Sequence, residues 1–232
     1  MSLEPAIEAR NITKRFRQGS LIAGRTVVAL DSVSLAIAPR TNVALMGESG
    51  SGKSTLARCI AGLLQTDQGS VIVDGRPASP ADLARRVQYA GQHPELCINP
   101  RFTVEDALIE PARIRRAPLP ATPCALEAVG FPGNCAQRLA SELSGGQLAR
   151  LLIARALVGL TDESAQLLIL DETLARLDHS IEAQILNLIF DLQRIRPLAL
   201  LLVTHNERLA NLTAGTIIRM RAGKLVESRD PK

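Results

Sequence analysis

Residues 41 to 56 constrain this chain more than any other stretch. Thr41 to Met46 form an apolar run of strand length that meets the turn Gly47-Glu48-Ser49-Gly50-Ser51-Gly52-Lys53-Ser54-Thr55-Leu56. Gly47, Gly52, Lys53 and Ser54 match G-x-x-x-x-G-K-[ST] in the strand–turn–helix setting that the pattern requires. By average composition the bare pattern arises by chance in about one chain per hundred of this length. Glycines let backbone N–H groups turn inward around an anion, and the helix N-terminus adds its positive end. Lys53 is then placed to reach the outer phosphates of a nucleoside triphosphate, and the Ser54 hydroxyl to ligate Mg²⁺.

At 232 residues the chain can bury a substantial core, and 46% hydrophobic with 22% charged residues excludes a disordered polymer. Four Phe, one Tyr and no Trp leave few stacking platforms for single-stranded nucleic acid, so nucleic acid is not an expected partner. The net charge of +4 is spread along the chain at helical spacings and reads as a solvated face. Cys59, Cys97, Cys124 and Cys135 form no metal-type spacing and are read as reduced thiols in a cytoplasmic protein. Met1-Ser2-Leu3-Glu4-Pro5 is acidic and broken by proline, unlike a signal peptide. The longest apolar run, Leu198 to Val203, is far short of a membrane span.

Strands are expected at 6–10 and 27–37, where Ser32 to Ile37 alternate polar and apolar, as a half-exposed antiparallel sheet requires. Val43 to Met46, Ser70 to Val73, Val87 to Tyr89, Leu167 to Leu170 and Leu198 to Val203 read as further strands. Thr216 to Met220 and Gly223 to Val226 read as a closing hairpin. One helix should run from Lys53 to about Leu64. A second should be capped at Ser79-Pro80-Ala81-Asp82. A third, from about His179 to Ile195, would carry a stripe of Ile181, Ile185, Leu188 and Leu192. From Gly91 to Ala156 helices separated by the proline-rich stretch 117–123 replace the strands, with Thr103 capping one of them. This suggests a helical lobe inserted into an α/β core.

Two further motifs carry chemistry. Leu167-Leu168-Ile169-Leu170-Asp171-Glu172 is an apolar strand ending in paired carboxylates. Asp171 is suited to hold Mg²⁺ through water, and Glu172 to orient or polarise an attacking water. Leu143-Ser144-Gly145-Gly146-Gln147 opens a long Leu/Ala/Arg helix and makes a second anion-binding tip. One triphosphate does not need two such cradles on one subunit. The economical reading is that this tip serves a nucleotide held by another subunit.

The order GESGSGKST, LSGGQ, LLILDE and a later TH resembles the nucleotide-binding subunit of an ATP-binding cassette (ABC) transporter, from Ile7 to Val226. The resemblance implies a P-loop NTPase (RecA-like) α/β core at 1–90 and 157–232. It adds an N-terminal antiparallel β subdomain and an α-helical subdomain at 91–156. It also implies ATP and Mg²⁺ as cofactors. Phe16 matches the A-loop aromatic that stacks on adenine, and Gln92 the Q-loop glutamine that senses Mg²⁺ and γ-phosphate. Asp178 matches the D-loop aspartate at the dimer interface, and His205 the switch histidine on γ-phosphate. The implied partners are a second ABC ATPase subunit in a homo- or heterodimer, transmembrane permease subunits and, indirectly, a solute-binding protein. The implied location is peripheral, on the cytoplasmic face of the inner membrane.

The stretches 47–58, 99–104 and 181–188 are similar to the dipeptide/oligopeptide/nickel importer subfamily. Its members often carry a C-terminal extension after the last strand, one that this sequence, running to Lys232, is expected to lack. An accessory ABC ATPase in a soluble enzyme complex of the phosphonate-degradation type would use the same motifs. Against the family pattern, Arg40 replaces a glycine and Gly91 a bulky apolar residue. Thr173 stands for Pro or Ala, Ala175-Arg176 for Ser-Ala and Asn206 for Asp, and the loop 159–166 is longer than usual. Every phosphate, Mg²⁺ and water ligand is nonetheless in place.

Overall fold

The computed structural model describes residues 5–18, 25–131, 133–160 and 164–229. The strands β1 (Ile7–Gln18) and β2 (Arg25–Ile37) lead to β3 (Asn42–Met46) and helix α1 (Lys53–Ile60). Then come β4 (Gln68–Val73), β5 (Arg76–Pro77), α2 (Pro80–Arg86) and β6 (Val87–Ala90). Four helices follow: α3 (Pro94–Cys97), α4 (Val104–Arg115), α5 (Thr122–Glu127) and α6 (Gly145–Gly159). The chain continues through β7 (Leu167–Asp171), α7 (His179–Ile195), β8 (Ala199–Val203) and α8 (Glu207–Thr213). It closes with the hairpin β9 (Thr216–Arg221) and β10 (Lys224–Arg229).

Two sheets result. The antiparallel one runs β2-β1-β4-β5, and the larger one β10-β9-β3-β8-β7-β6, with β9, β3, β8, β7 and β6 parallel. The apolar runs explain why the second sheet is covered on both faces. Leu167, Ile169, Ala199, Leu201 and Val203 point into a core shared with β1, β2, β4 and α1. Their neighbours Leu168, Leu170, Leu200 and Leu202 point into the opposite core, formed with α4, α6 and α7. A period of two with both phases apolar is the mark of a parallel strand sandwiched between layers.

Several local expectations need correction. Helix α1 stops at Ile60, four residues before Leu64, because the Gly62 N–H turns back to the Cys59 carbonyl at 3.1 Å with φ at +71°. That left-handed turn satisfies the last carbonyls and ends the helix. The first two strands are longer than the alternation indicated, since β1 and β2 continue as a ribbon beyond the core. The proline-rich stretch is shorter as a loop, since Thr122 and Pro123 already belong to the first turn of α5. On α7 the buried row is Glu182, Ile185, Leu186 and Ile189. Of the expected stripe, Ile185 is buried and Ile181 and Leu192 pack half-buried against the core, while Leu188 lies outside it. The caps at Ser79 and Thr103 form as expected, each side chain accepting from the backbone N–H three residues on.

All four cysteines are free thiols. Cys59 and Cys135 are buried, and burial pushes the Cys59 thiol up to about 11. The thiolate is the reactive form. At pH 8 a thiol reagent should therefore label the exposed Cys124 and Cys97 in the native protein. Cys59 and Cys135 should react only after denaturation, which peptide mapping of the labelled chain would check.

Candidate functional site

The turn after β3 builds its cradle from backbone. Gly47, Gly50 and Gly52 have φ of +148°, +78° and +109°. A side-chain carbon at Gly52 would lie 2.5 Å from the Ala29 carbonyl oxygen, and one at Gly47 would run into the Met220 carbonyl. Only glycine fits at either place. The β9–β10 turn braces the cradle, with the Gly223 N–H donating to the Ser51 carbonyl at 2.9 Å. The Lys53 side chain folds back over the loop and donates to the Gly47 and Glu48 carbonyls at 2.9 and 2.8 Å. Its ammonium is buried, with no carboxylate within ion-pair range among the described residues. The Ser51 hydroxyl is buried with no partner. A buried cation, an orphaned hydroxyl and a helix N-terminus without an acidic residue form a donor set that fits a polyphosphate.

Behind this cradle, β7 delivers Asp171 and Glu172. Asp171 is fully buried; its Oδ1 accepts from the Ser54 hydroxyl at 2.9 Å and its Oδ2 from the Tyr89 hydroxyl at 2.8 Å. Burial raises the Asp171 carboxyl above the usual carboxylate range, against the opposing pull of the Tyr89 and Ser54 hydrogen bonds. Glu172 sits at φ +52° with its N–H on the Val203 carbonyl at 3.0 Å. This is a left-handed conformation that costs about 1–3 kcal/mol for a side chain of this kind and collects at functional sites. Its carboxylate accepts from Gln92 Nε2 at 2.8 Å and lies 3.7 Å from His205 Nδ1.

A cleft of about 360 Å³ brings Gly47, Ser49, Gly50, Gly52, Lys53, Ser54 and Thr55 together with Gln92, Glu172 and His205. These come from four separate places in the sequence. Among the described residues no three His, Cys, Asp or Glu side chains form a metal cluster. The oxygen donors of Ser54 and Asp171 suit a Mg²⁺ ion that keeps most of its ligands as phosphate and water.

Phe16 does not line that cleft. It stands exposed on the β1–β2 ribbon opposite Val27, with the Lys14 ammonium 5.7 Å from its ring centre. Leu143 to Gln147 also lie outside it. Ser144 caps α6 in a reciprocal box with Gln147, while Gly145 and Gly146 open the helix. Asp178 caps α7 through the Ile181 N–H and pairs with Arg150 at 2.9 Å. Tyr89 was missed by motif reading. Its only signal is that it is the sole tyrosine of the chain and closes a strand three residues before Gln92.

Asp171 has an energetic cost at neutral pH. A carboxyl whose folded value is raised binds its proton more tightly in the native state, so the stability it supports at low pH is lost as pH rises through the raised value. Asp171→Asn should therefore melt higher than the parent protein at pH 7 in EDTA without nucleotide. The gap should close as the buffer is acidified, which calorimetric scans across pH would measure.

A family model for ABC transporters matches residues 30–175, more than half of the chain. The glutathione import ATP-binding protein GsiA of Escherichia coli (strain K12) is 36% identical over 239 residues, covering 97% of this chain and 38% of that protein. A protein of Brucella abortus (strain 2308), named for peptide import ATP binding, is 37% identical over 218 residues, covering 88% of this chain and 64% of that protein. The chain thus spans less than two thirds of the length of these curated relatives. Two solved structures share the fold across 97% of this chain and 99% of theirs. The ATP-binding cassette MJ0796 in a dimeric post-hydrolysis state with ADP and phosphate has a TM-score of 0.83 at 23% identity. The same bacterial cassette solved as a dimer has 0.84 at 24%. The chain belongs to the ABC transporter family, with the P-loop fold of its ATP-binding cassettes.

Proposed function

We propose that this chain is the ATP-binding and ATP-hydrolysing cassette of an importer for peptides, nickel or a similar small solute. The observation that carries the reading is the convergence of Lys53, Ser54, Gln92, Glu172 and His205 on one cleft, with Asp171 behind it. In this reading the loop N–H groups and the Lys53 ammonium bind the phosphates. Ser54, Asp171 (through water) and Gln92 hold Mg²⁺, which supplies charge neutralisation on the phosphates. Glu172 takes the proton of the attacking water, and His205 steadies the γ-phosphate. The exposed β1–β2 ribbon lets Phe16 reach an adenine ring. Residues 1–90 and 157–232 act as the nucleotide-binding core, and 91–156 as a helical subdomain.

The Leu143–Gln147 tip does not line the cleft of its own cradle. It serves the nucleotide of a second cassette, identical or not, which closes head to tail with this one, with Asp178 at the seam. Loss of the γ-phosphate removes the charge that holds the halves together. A groove of about 1150 Å³ between the core and the helices, along Gln88, Ile114 and Leu152, suits a cytoplasmic helix of a permease. Among the described residues no helix is long and apolar enough to cross a membrane. In this reading the solute path lies in the permease, fed by a solute-binding protein, with this chain peripheral on the cytoplasmic face. The names of the relatives support import over an accessory role in a soluble complex.

Glu172→Gln should retain ATP binding, lose hydrolysis by about 10²-fold or more, as removal of a general base does, and accumulate closed dimers at saturating ATP. Undiminished steady turnover would remove Glu172 from its role. Ser144→Arg should abolish hydrolysis while each subunit still binds nucleotide, as read by equilibrium binding of a fluorescent ATP analogue.

A further inference from the structure

Tyr89 occupies a place that no motif assigns. It lies on β6, paired with Ile169 of β7, so its strand runs beside the one that ends in Asp171. Its hydroxyl donates to Asp171 Oδ2 at 2.8 Å and receives the Arg58 Nε–H at 3.4 Å. Ser54 holds the other carboxylate oxygen at 2.9 Å. The ring fits because residue 91 has no side chain. A Cβ on Gly91 would stand 2.9 Å from Tyr89 Cε1 and 3.4 Å from both Cζ and Cys97 Sγ. A second tie runs parallel to the first, from the buried Thr173 hydroxyl to the Ala90 carbonyl at 2.9 Å. Burial, and then the charge of Asp171, hold the phenol in its protonated form, so it remains a donor.

We infer that Tyr89 is a positioning residue for Asp171, gripping from behind the carboxylate whose front oxygen meets Ser54, with Gly91 as the space that admits it. A packing role alone would be served equally well by phenylalanine. The hydroxyl matters because without it a buried carboxylate oxygen has no donor and the group is free to rotate away from Ser54. Loss of such an outer partner typically costs about 10–100-fold in metal affinity or activity. The lower end applies here, since Ser54 still holds one oxygen. The inference rests on the ATPase reading and adds a metal-positioning role to a residue outside its motifs.

The test is the Mg²⁺ dependence of the full chain carrying Tyr89→Phe. Its half-saturating Mg²⁺ concentration should rise about 10-fold, both for ATP turnover and for binding of a fluorescent ATP analogue. Affinity for that analogue in EDTA should stay near the parent value, while the melting temperature should fall, because a buried carboxylate oxygen loses its donor. A Mg²⁺ curve within twofold of the parent overturns the inference. Equal losses of affinity with and without Mg²⁺ overturn it as well, since they report general damage to the site. Gly91→Ala keeps the phenol but pushes the ring aside, and should move the Mg²⁺ curve in the same direction. If Tyr89→Phe does not fold, an unmoved curve in Gly91→Ala is the overturning result. A parent protein whose nucleotide binding ignores Mg²⁺ altogether would instead strike the ATPase reading.

Discussion

Two opposite charges, one lining the cleft and one buried behind it, set the terms for the rest of this structure without meeting. Lys53 is 5% exposed and Asp171 fully buried, yet no ion pair joins them. Burying an ion costs several kcal/mol even after relaxation, and an excellent partner is needed to offset it. Here the ammonium is satisfied by two loop carbonyls and the carboxylate by two hydroxyls, all neutral groups. The fold holds both charges apart because the parallel sheet anchors them. Lys53 begins the helix after β3, and Asp171 ends β7, with β8 between the two strands. An arrangement of this kind suits a ligand of complementary charge, and on the proposed reading that ligand is a magnesium-bound triphosphate.

Much of this was legible in the sequence because it rests on local chemistry. Strands with both phases apolar, a glycine-rich turn and capping pairs such as Ser79 with Asp82 act within a few residues of themselves. Other features depend on tertiary packing, which local pattern does not carry. The fully buried row on α7 is 182/185/186/189, which shares Ile185 with the expected stripe, keeps Ile181 and Leu192 at its rim and leaves Leu188 outside. The core face selects the rotation, and both rows satisfy the same helical period. Tyr89 could not be singled out, since a strand residue facing a distant carboxylate looks like any β-former until the register of β6 against β7 is known.

The departures from the family pattern gain physical content from the same geometry. Residue 40 sits at φ +59°, a left-handed position where glycine carries no Cβ penalty, so Arg40 holds a conformation of about 1–2 kcal/mol cost. Asn206 keeps the capping function of an aspartate, its side-chain oxygen accepting from the Leu209 N–H at 3.2 Å. Thr173 adds a hydroxyl that ties β7 to β6. Gly91 gives up an apolar side chain and admits the Tyr89 ring in its place. Thr173 and Gly91 therefore change the chain at one seam, where the carboxylate strand meets the segment carrying Gln92.

That seam connects the two halves of the chemistry. Gln92 reaches Glu172 at 2.8 Å, so the segment leaving β6 touches both terminal carboxylates of β7, through Tyr89 on one and Gln92 on the other. Arg176 extends the contact outward, lying 3.6 Å from Glu95 on α3 and beside Gly145 at the start of α6. A displacement of the helices at 94–159 would therefore reach Glu172 through Gln92, in the short segment between β6 and α3, while the hold on Asp171 stays with Tyr89 on the sheet. On the proposed reading, with a partner pressing on these helices, such contacts would give mechanical force a route to the group that orients the attacking water. On the same reading, nucleotide bound in the cleft would in return act on the helices through Gln92.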